Sequence, residues 1–185
     1  AHCVHVSPED IELLAEFEVG VAHNPVSNLK LASGVSPVPA MVERGLKVGL
    51  GTDGAASNNT LDLLRDMQLA ALVHKVTTGD PTTLPARTMV EMVTRRGAEV
   101  LGLGHRIGTL TEGKEADLVC LAVDRPHAMP LYDPFSHLVF AARSSDVRHV
   151  MVQGRSVVRG GRPVTVDLEE LAARVREIRN GIAAR

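Results

Sequence analysis

The 185-residue chain has no tryptophan, one tyrosine and three phenylalanines, so aromatics make up only 2% of it. A core this poor in rings must be packed from Val, Leu, Ile, Ala and Met. Cysteine is nearly as scarce: Cys3 and Cys120 cannot build a disulfide framework, which suits a reducing, cytoplasmic setting. No apolar run approaches the roughly 18 residues of a membrane span, and the first residues lack the character of a signal peptide. Neither sign of charge dominates. A net charge of −2 gives no argument for nucleic acid or anionic membrane as a partner. Internal repeats and low-complexity segments are missing, and Asn58-Asn59-Thr60 reads as a chance glycosylation sequon. An initiator Met is missing too. The chain opens on Ala1-His2-Cys3-Val4-His5, in strand-like residues without a capping element, and is expected to be a fragment.

What is present is an ordinary globular composition, 44% hydrophobic, organised around residues 46–59. Val48 to Leu50 reads as a short buried strand after a helix that Gly45 closes. It ends on Gly51-Thr52-Asp53-Gly54, a carboxylate at the strand tip among glycines that leave room for a ligand. In a parallel α/β fold an acid there faces the ligand crevice. Gly49-Leu50-Gly51-Thr52-Asp53-Gly54 also matches the dinucleotide fingerprint. That motif needs a helix starting inside the glycine turn. The next helical pattern starts near Thr60 (Leu61, Leu64, Leu69, Leu72), after a polar loop over 55–59, and an acid in the turn repels phosphates. The nucleotide reading is therefore set aside.

Taken in order, residues 1–6 read as the end of a strand. Ser7-Pro8-Glu9-Asp10 predicts a helix start, with Ile11, Leu14, Ala15 and Val19 as its apolar face. A short strand ends at His23, and a thirteen-residue loop runs from Asn24 to Ser36. A helix from Ser36-Pro37 to Gly45 leads to the Asp53 strand. Strand and helix alternate three times, the grammar of a parallel α/β domain. Pro85 to Leu103 predicts a helix with Met89, Met92, Val93, Val100 and Leu101 as core. The chain then turns β-like: 116–121 is a strand, 147–152 and 156–159 form a hairpin around Gln153-Gly154, and Asp167 caps a final helix. The expected division is an α/β part over 1–103, a small β part over 104–166 and a helix over 167–185.

His2, His23 and Asp53 thus arrive at equivalent strand ends, which argues for a shared site. Alternation along a regular strand puts His5 on the face opposite His2 and makes it a bystander. His74, His105, His127, His137 and His149 read as surface or packing residues.

His2-Cys3, the run His23-Asn24-Pro25-Val26-Ser27-Asn28-Leu29-Lys30-Leu31-Ala32-Ser33-Gly34, and Gly51 to Asn59 resemble the last three strands of an amidohydrolase-superfamily barrel. The nearest branch is the methylthioadenosine/S-adenosylhomocysteine deaminases with the related chlorohydrolases and guanine deaminases. Gly108-Thr109-Leu110 and Glu112 to Val119 resemble the chain's return into that family's small β-sandwich. The resemblance is collinear from residue 1 to about 160. It implies the C-terminal part of a metal-dependent (β/α)8 barrel (last three strands) plus part of a β-sandwich. It further implies one Zn²⁺ or Fe²⁺ at the barrel mouth. Asp53 corresponds to the family's metal-binding aspartate and proton acceptor. His2 corresponds to a histidine that hydrogen-bonds the attacking water and leaving group. His23, Asn28 and Ser57 fall on stretches that shape the substrate pocket.

The implied reaction is hydrolytic deamination of an aminopurine or related N-heterocycle: metal-activated hydroxide attacks the carbon bearing the amine, a carboxylic acid protonates the ring, and ammonia leaves. The family's other metal-binding histidines and its acid are missing from these 185 residues, and such a barrel usually needs about 250. The chain alone is therefore expected to be inactive, short of full metal occupancy, and buried against a missing N-terminal half or another copy of itself. Two alternatives stay open: a silent accessory chain that completes another chain's barrel, and a chlorohydrolase or guanine deaminase of the same superfamily.

Overall fold

Ser7 caps the first helix of the computed structural model, which describes residues 1–183. Its hydroxyl accepts from the Asp10 N–H at 3.2 Å, and the Asp10 carboxylate accepts from the Ser7 N–H at 2.8 Å. This closed capping box starts α1 (Pro8–Glu16), which buries Ile11 and half-buries Leu14 and Ala15. Val19 lies past the helix end and is 41% exposed, so it does not belong to that apolar face.

Residues 1–6 do not form the strand that their sequence suggests. His2 and Cys3 adopt left-handed backbone, with φ of 66° and 46°, and His2 N–H donates to Ala22 O at 2.9 Å. The alternation that set His5 opposite His2 therefore does not apply, although His5 is exposed. Where three strands were expected, the sheet of this part has two: β1 (Val21–His23) and β2 (Val48–Leu50). They run parallel, pairing Val21 with Val48 and His23 with Leu50.

The expected loop over 24–36 contains a helix, α2 (Pro25–Lys30), in which Pro25, Val26, Ser27 and Asn28 are all buried. The Asn24 side chain does not cap it, and Pro25 takes the first helical position. Packing rather than an amphipathic pattern holds this short turn. Next come α3 (Val38–Glu43) and, after β2, a one-turn helix α4 (Ala55–Asn58) where a polar loop was expected. A helix thus does follow the Gly51–Gly54 turn directly, so the dinucleotide motif is disfavoured by the acid in its turn rather than by helix position.

Asp62 caps α5 (Leu63–Thr78) by accepting from the Leu64 and Arg65 N–H groups. Its buried stripe is Asp66, Met67, Ala70, Ala71 and His74, whereas Leu61 and Leu72 are 51% and 46% exposed. The single helix expected over 85–103 is two, α6 (Ala86–Val93) and α7 (Arg95–Val100), broken at Thr94 (φ −125°, ψ −100°). The break lets backbone meet backbone: a Cβ on Gly49 of β2 would stand 2.9 Å from Gly97 Cα, and one on Gly97 would stand 2.9 Å from Met92 O. Met89 and Met92 are fully buried in the core with Val38, Met41 and Val48, while Leu101 is 70% exposed. A further helix, α8 (Pro134–Phe140), packs against α5 and α6.

The chain divides into two compact units, residues 1–115 with 123–144, and residues 116–122 with those from 145 on. The second unit is an antiparallel sheet ordered β3 (Leu118–Leu121), β4 (Val147–Val152), β5 (Arg155–Arg159) and β6 (Arg162–Pro163). Gln153 and Gly154 turn β4 into β5 with φ of 51° and 74°, the double left-handed geometry that matches strand twist. Asp167 accepts from the Glu169 and Glu170 N–H groups and caps α9 (Leu168–Ala183). Among the described residues this unit has one sheet rather than two facing ones. No described helix is long and apolar enough to cross a membrane.

Candidate active site

The parallel ladder ends where Gly51 N–H donates to His23 O at 2.9 Å. Beyond that bond β1 turns into α2 and β2 runs into Thr52-Asp53-Gly54. Asp53 itself is left-handed, with φ 61°. For a residue with a side chain this costs on the order of 1 kcal/mol or more and persists only where surroundings enforce it.

Two hydroxyls meet its carboxylate. Ser27 Oγ donates to Asp53 Oδ2 at 2.6 Å from α2, and Ser57 Oγ donates to the same oxygen at 2.8 Å from α4. These two bonds, with a contribution from the Gly54 backbone, hold the Asp53 carboxyl down at about 2. It is an ionised oxygen donor at neutral pH, and its side chain is 35% exposed.

His2 faces it. Asn28 Oδ1 meets His2 Nδ1 at 2.7 Å. An amide oxygen only accepts, so Nδ1 carries a proton, and the lone pair of the neutral form of the ring falls on Nε2. That Nε2 lies 3.9 Å from Asp53 Oδ2. The gap is too long for a direct hydrogen bond and suits a small molecule that touches both groups.

His23 sits deeper than a pocket-lining reading suggests, at 1% exposure. Its Nε2 lies 3.1 Å from Nε2 of His74 on α5. Burial first, then the neighbouring His74, pushes the His23 imidazole down to about 3, and burial lowers His74 to about 4. Both rings are neutral, so one Nε2 donates to the other. The structure thus brings together His2, Asn28, Ser57 and Asp53, and sets His23 behind them in a buried pair. Ser27 was not singled out from the sequence, although it lies in the quoted His23–Asn28 run. His74 lies 51 residues further along, in α5, with no motif to tie it to His23.

Asp53 has the chemistry of a metal ligand: ionised, oriented and reachable. Among the described residues no three His, Cys, Asp or Glu side chains gather closely enough to hold an ion. The donors here fit one share of a metal centre and not a whole one.

Comparison with known proteins defines the class. The amidohydrolase family model matches residues 1–157, and the chain belongs to that family. A 5-methylthioadenosine/S-adenosylhomocysteine deaminase of Syntrophobacter fumaroxidans is 52% identical over 177 residues, covering 96% of this chain and 40% of the relative. A zinc-bound adenosine deaminase from Xanthomonas campestris superposes with a TM-score of 0.96 at 37% identity, covering 100% of this chain and 42% of that one. A zinc-complexed atrazine chlorohydrolase from Arthrobacter aurescens TC1 superposes with a TM-score of 0.87 at 35% identity, over 95% of this chain and 39% of that one. The chain spans about 40% of the length of the curated relative it matches.

Proposed function

We propose that this chain contributes β1, β2 and their following loops to a closed (β/α)8 barrel of a metal-dependent hydrolase. Its reaction would be the hydrolytic deamination of an adenine nucleoside of the methylthioadenosine or S-adenosylhomocysteine type. The observation that carries the reading is Asp53, an ionised carboxylate at a strand tip, bracketed by two serines and faced by Nε2 of His2. Support for the substrate class comes from the names of the deaminases it resembles. The metal is proposed to be Zn²⁺, as in the two similar structures, with Asp53 as this chain's ligand and the other ligands supplied from outside these residues.

When bound, Zn²⁺ supplies a water acidified to a pKa of roughly 7. The chain's own part is to receive and place protons. Asp53 accepts a proton at its carboxylate, and the serines that share Oδ2 restrict which direction stays open for a third partner. His2, locked by Asn28, offers an Nε2 acceptor toward the same space and orients the hydroxyl or amine that enters it. Ser57 and Asn28 act through these two side chains, and His23 acts as packing behind the loop.

The complete gene product, purified with its metal, tests this. Expected are about one equivalent of zinc per chain, as a single mononuclear site requires, and ammonia release from methylthioadenosine, S-adenosylhomocysteine or adenosine. Chloride release from a chlorotriazine without any ammonia from adenine nucleosides would favour the chlorohydrolase reading instead. Asp53→Asn should lower turnover about 100-fold or more, the usual loss with a general base. Turnover kept above about a tenth would contradict the role.

A further inference from the structure

Asp66 of α5 is a carboxylate at 0% exposure that the reaction above does not use. It accepts from Asn58 Nδ2 at 2.9 Å on Oδ2 and, more weakly, from the Val26 N–H at 3.4 Å on Oδ1. Asn58 is buried as well, at 1% exposure. Its second amide N–H donates to Thr52 O at 2.8 Å, and its Oδ1 accepts from Thr60 Oγ1 and the Leu61 N–H, each at 3.2 Å. All four hydrogen-bonding positions of this amide are filled, so it can stand only one way round.

Both arms of the network end one residue short of the site. Thr52 immediately precedes Asp53, and Val26 immediately precedes Ser27, whose hydroxyl meets Asp53 at 2.6 Å. Asn58 also follows Ser57, the other hydroxyl on that carboxylate. One buried acid therefore stands behind the carbonyl, the helical turn and the loop that surround a left-handed aspartate. From this we infer that Asp66 and Asn58 are positioning residues that hold Asp53 in its metal-binding conformation. The inference rests on the metal-dependent reading of Asp53 above. Partners behind a metal ligand typically control about 10- to 100-fold of metal affinity or activity.

The experiment measures zinc affinity by chelator competition on the complete gene product and on Asn58→Ala, Asp66→Asn and the double variant. The metal-free form of each is first checked for an unchanged circular dichroism spectrum. Expected is a 10- to 100-fold rise in the zinc Kd for Asn58→Ala and Asp66→Asn. The double variant should be no worse than the weaker single one, because both cut the same chain of bonds. If Asn58→Ala fails to fold, the isosteric Asp66→Asn decides. A folded variant with unchanged zinc affinity would overturn the positioning role and leave the metal reading standing. A wild-type protein that binds no zinc would overturn both, and the two failures are told apart by the wild-type measurement.

Discussion

Acid should loosen the first unit through His74, by an amount set by its burial. His74 is 1% exposed and its imidazole is lowered to about 4, against an ordinary 6.5. In that window the unfolded chain binds a proton that the folded chain refuses. Stability is therefore complete above pH 6.5 and falls as pH drops toward 4. Each pKa unit corresponds to about 1.4 kcal/mol, so going from pH 7.5 to 5.0 removes up to about 2 kcal/mol through this ring. His23, lowered to about 3, adds a similar loss over the same span. The two rings share one hydrogen bond, so the sum is an upper bound. Replacing His74 by Leu keeps an apolar side chain of fair volume and removes one titrating group. Urea midpoints at pH 7.5 and 5.0 measure the effect, with the carboxylates common to both proteins. His74→Leu should start less stable, because His23 Nε2 loses its partner, yet lose about 2 kcal/mol less on acidification. Equal losses in the two proteins, or an imidazole of His74 that titrates near 6.5 by NMR, would refute the reasoning.

Gly49→Ala should cost about 1–3 kcal/mol by overpacking, since its Cβ would press on the Gly97 backbone at 2.9 Å and neither partner has a side chain to move away; thermal unfolding measures it. Ser27→Ala should raise the Asp53 carboxyl toward the ordinary carboxylate range, because that hydroxyl is the largest cause of its depression. An NMR titration in which Asp53 stays at about 2 would show that Ser57 and the Gly54 backbone suffice.

The elements legible in the sequence are those with local chemistry. Ser7-Pro8-Glu9-Asp10 carries its own cap, Val48 to Leu50 is apolar between breakers, and Gln153-Gly154 supplies both left-handed residues of a hairpin. Asp133 accepts from the Phe135 and Ser136 N–H groups at the start of α8, a helix for which no expectation was drawn from the sequence. What stayed hidden depends on contacts far along the chain. Pro25 to Asn28 is helical because all four residues are buried, not because they alternate. Thr94 breaks a helix because Gly97 must approach Gly49. Residues 1–6 have strand-like composition yet follow the left-handed turn at His2 and Cys3. His2, Asn28, Ser57 and Asp53, which the structure brings together, were singled out from motif positions. Asp66 and His74 were not, because a polar residue in a helix gives no sign of which face it will occupy.

Why two serines and an aspartate from three separate segments should converge follows from where the ladder stops. Parallel pairing puts His23 beside Leu50, so the residues after each strand leave the sheet on the same edge. Had β1 continued one residue further, Asn24 would have been held in the ladder and α2 could not have turned back at Pro25. Ser27 would then have pointed along the strand rather than across to Asp53, 26 positions away. Proline at the first position of α2 both ends the strand, by lacking a donor, and starts the helix, by its fixed φ. After β2 the left-handed Asp53 does the same work, turning the backbone into α4, whose Ser57 hydroxyl donates back to it. Two hydroxyls thus meet one oxygen of a carboxylate that stays 35% exposed, with His2 Nε2 3.9 Å from that same oxygen.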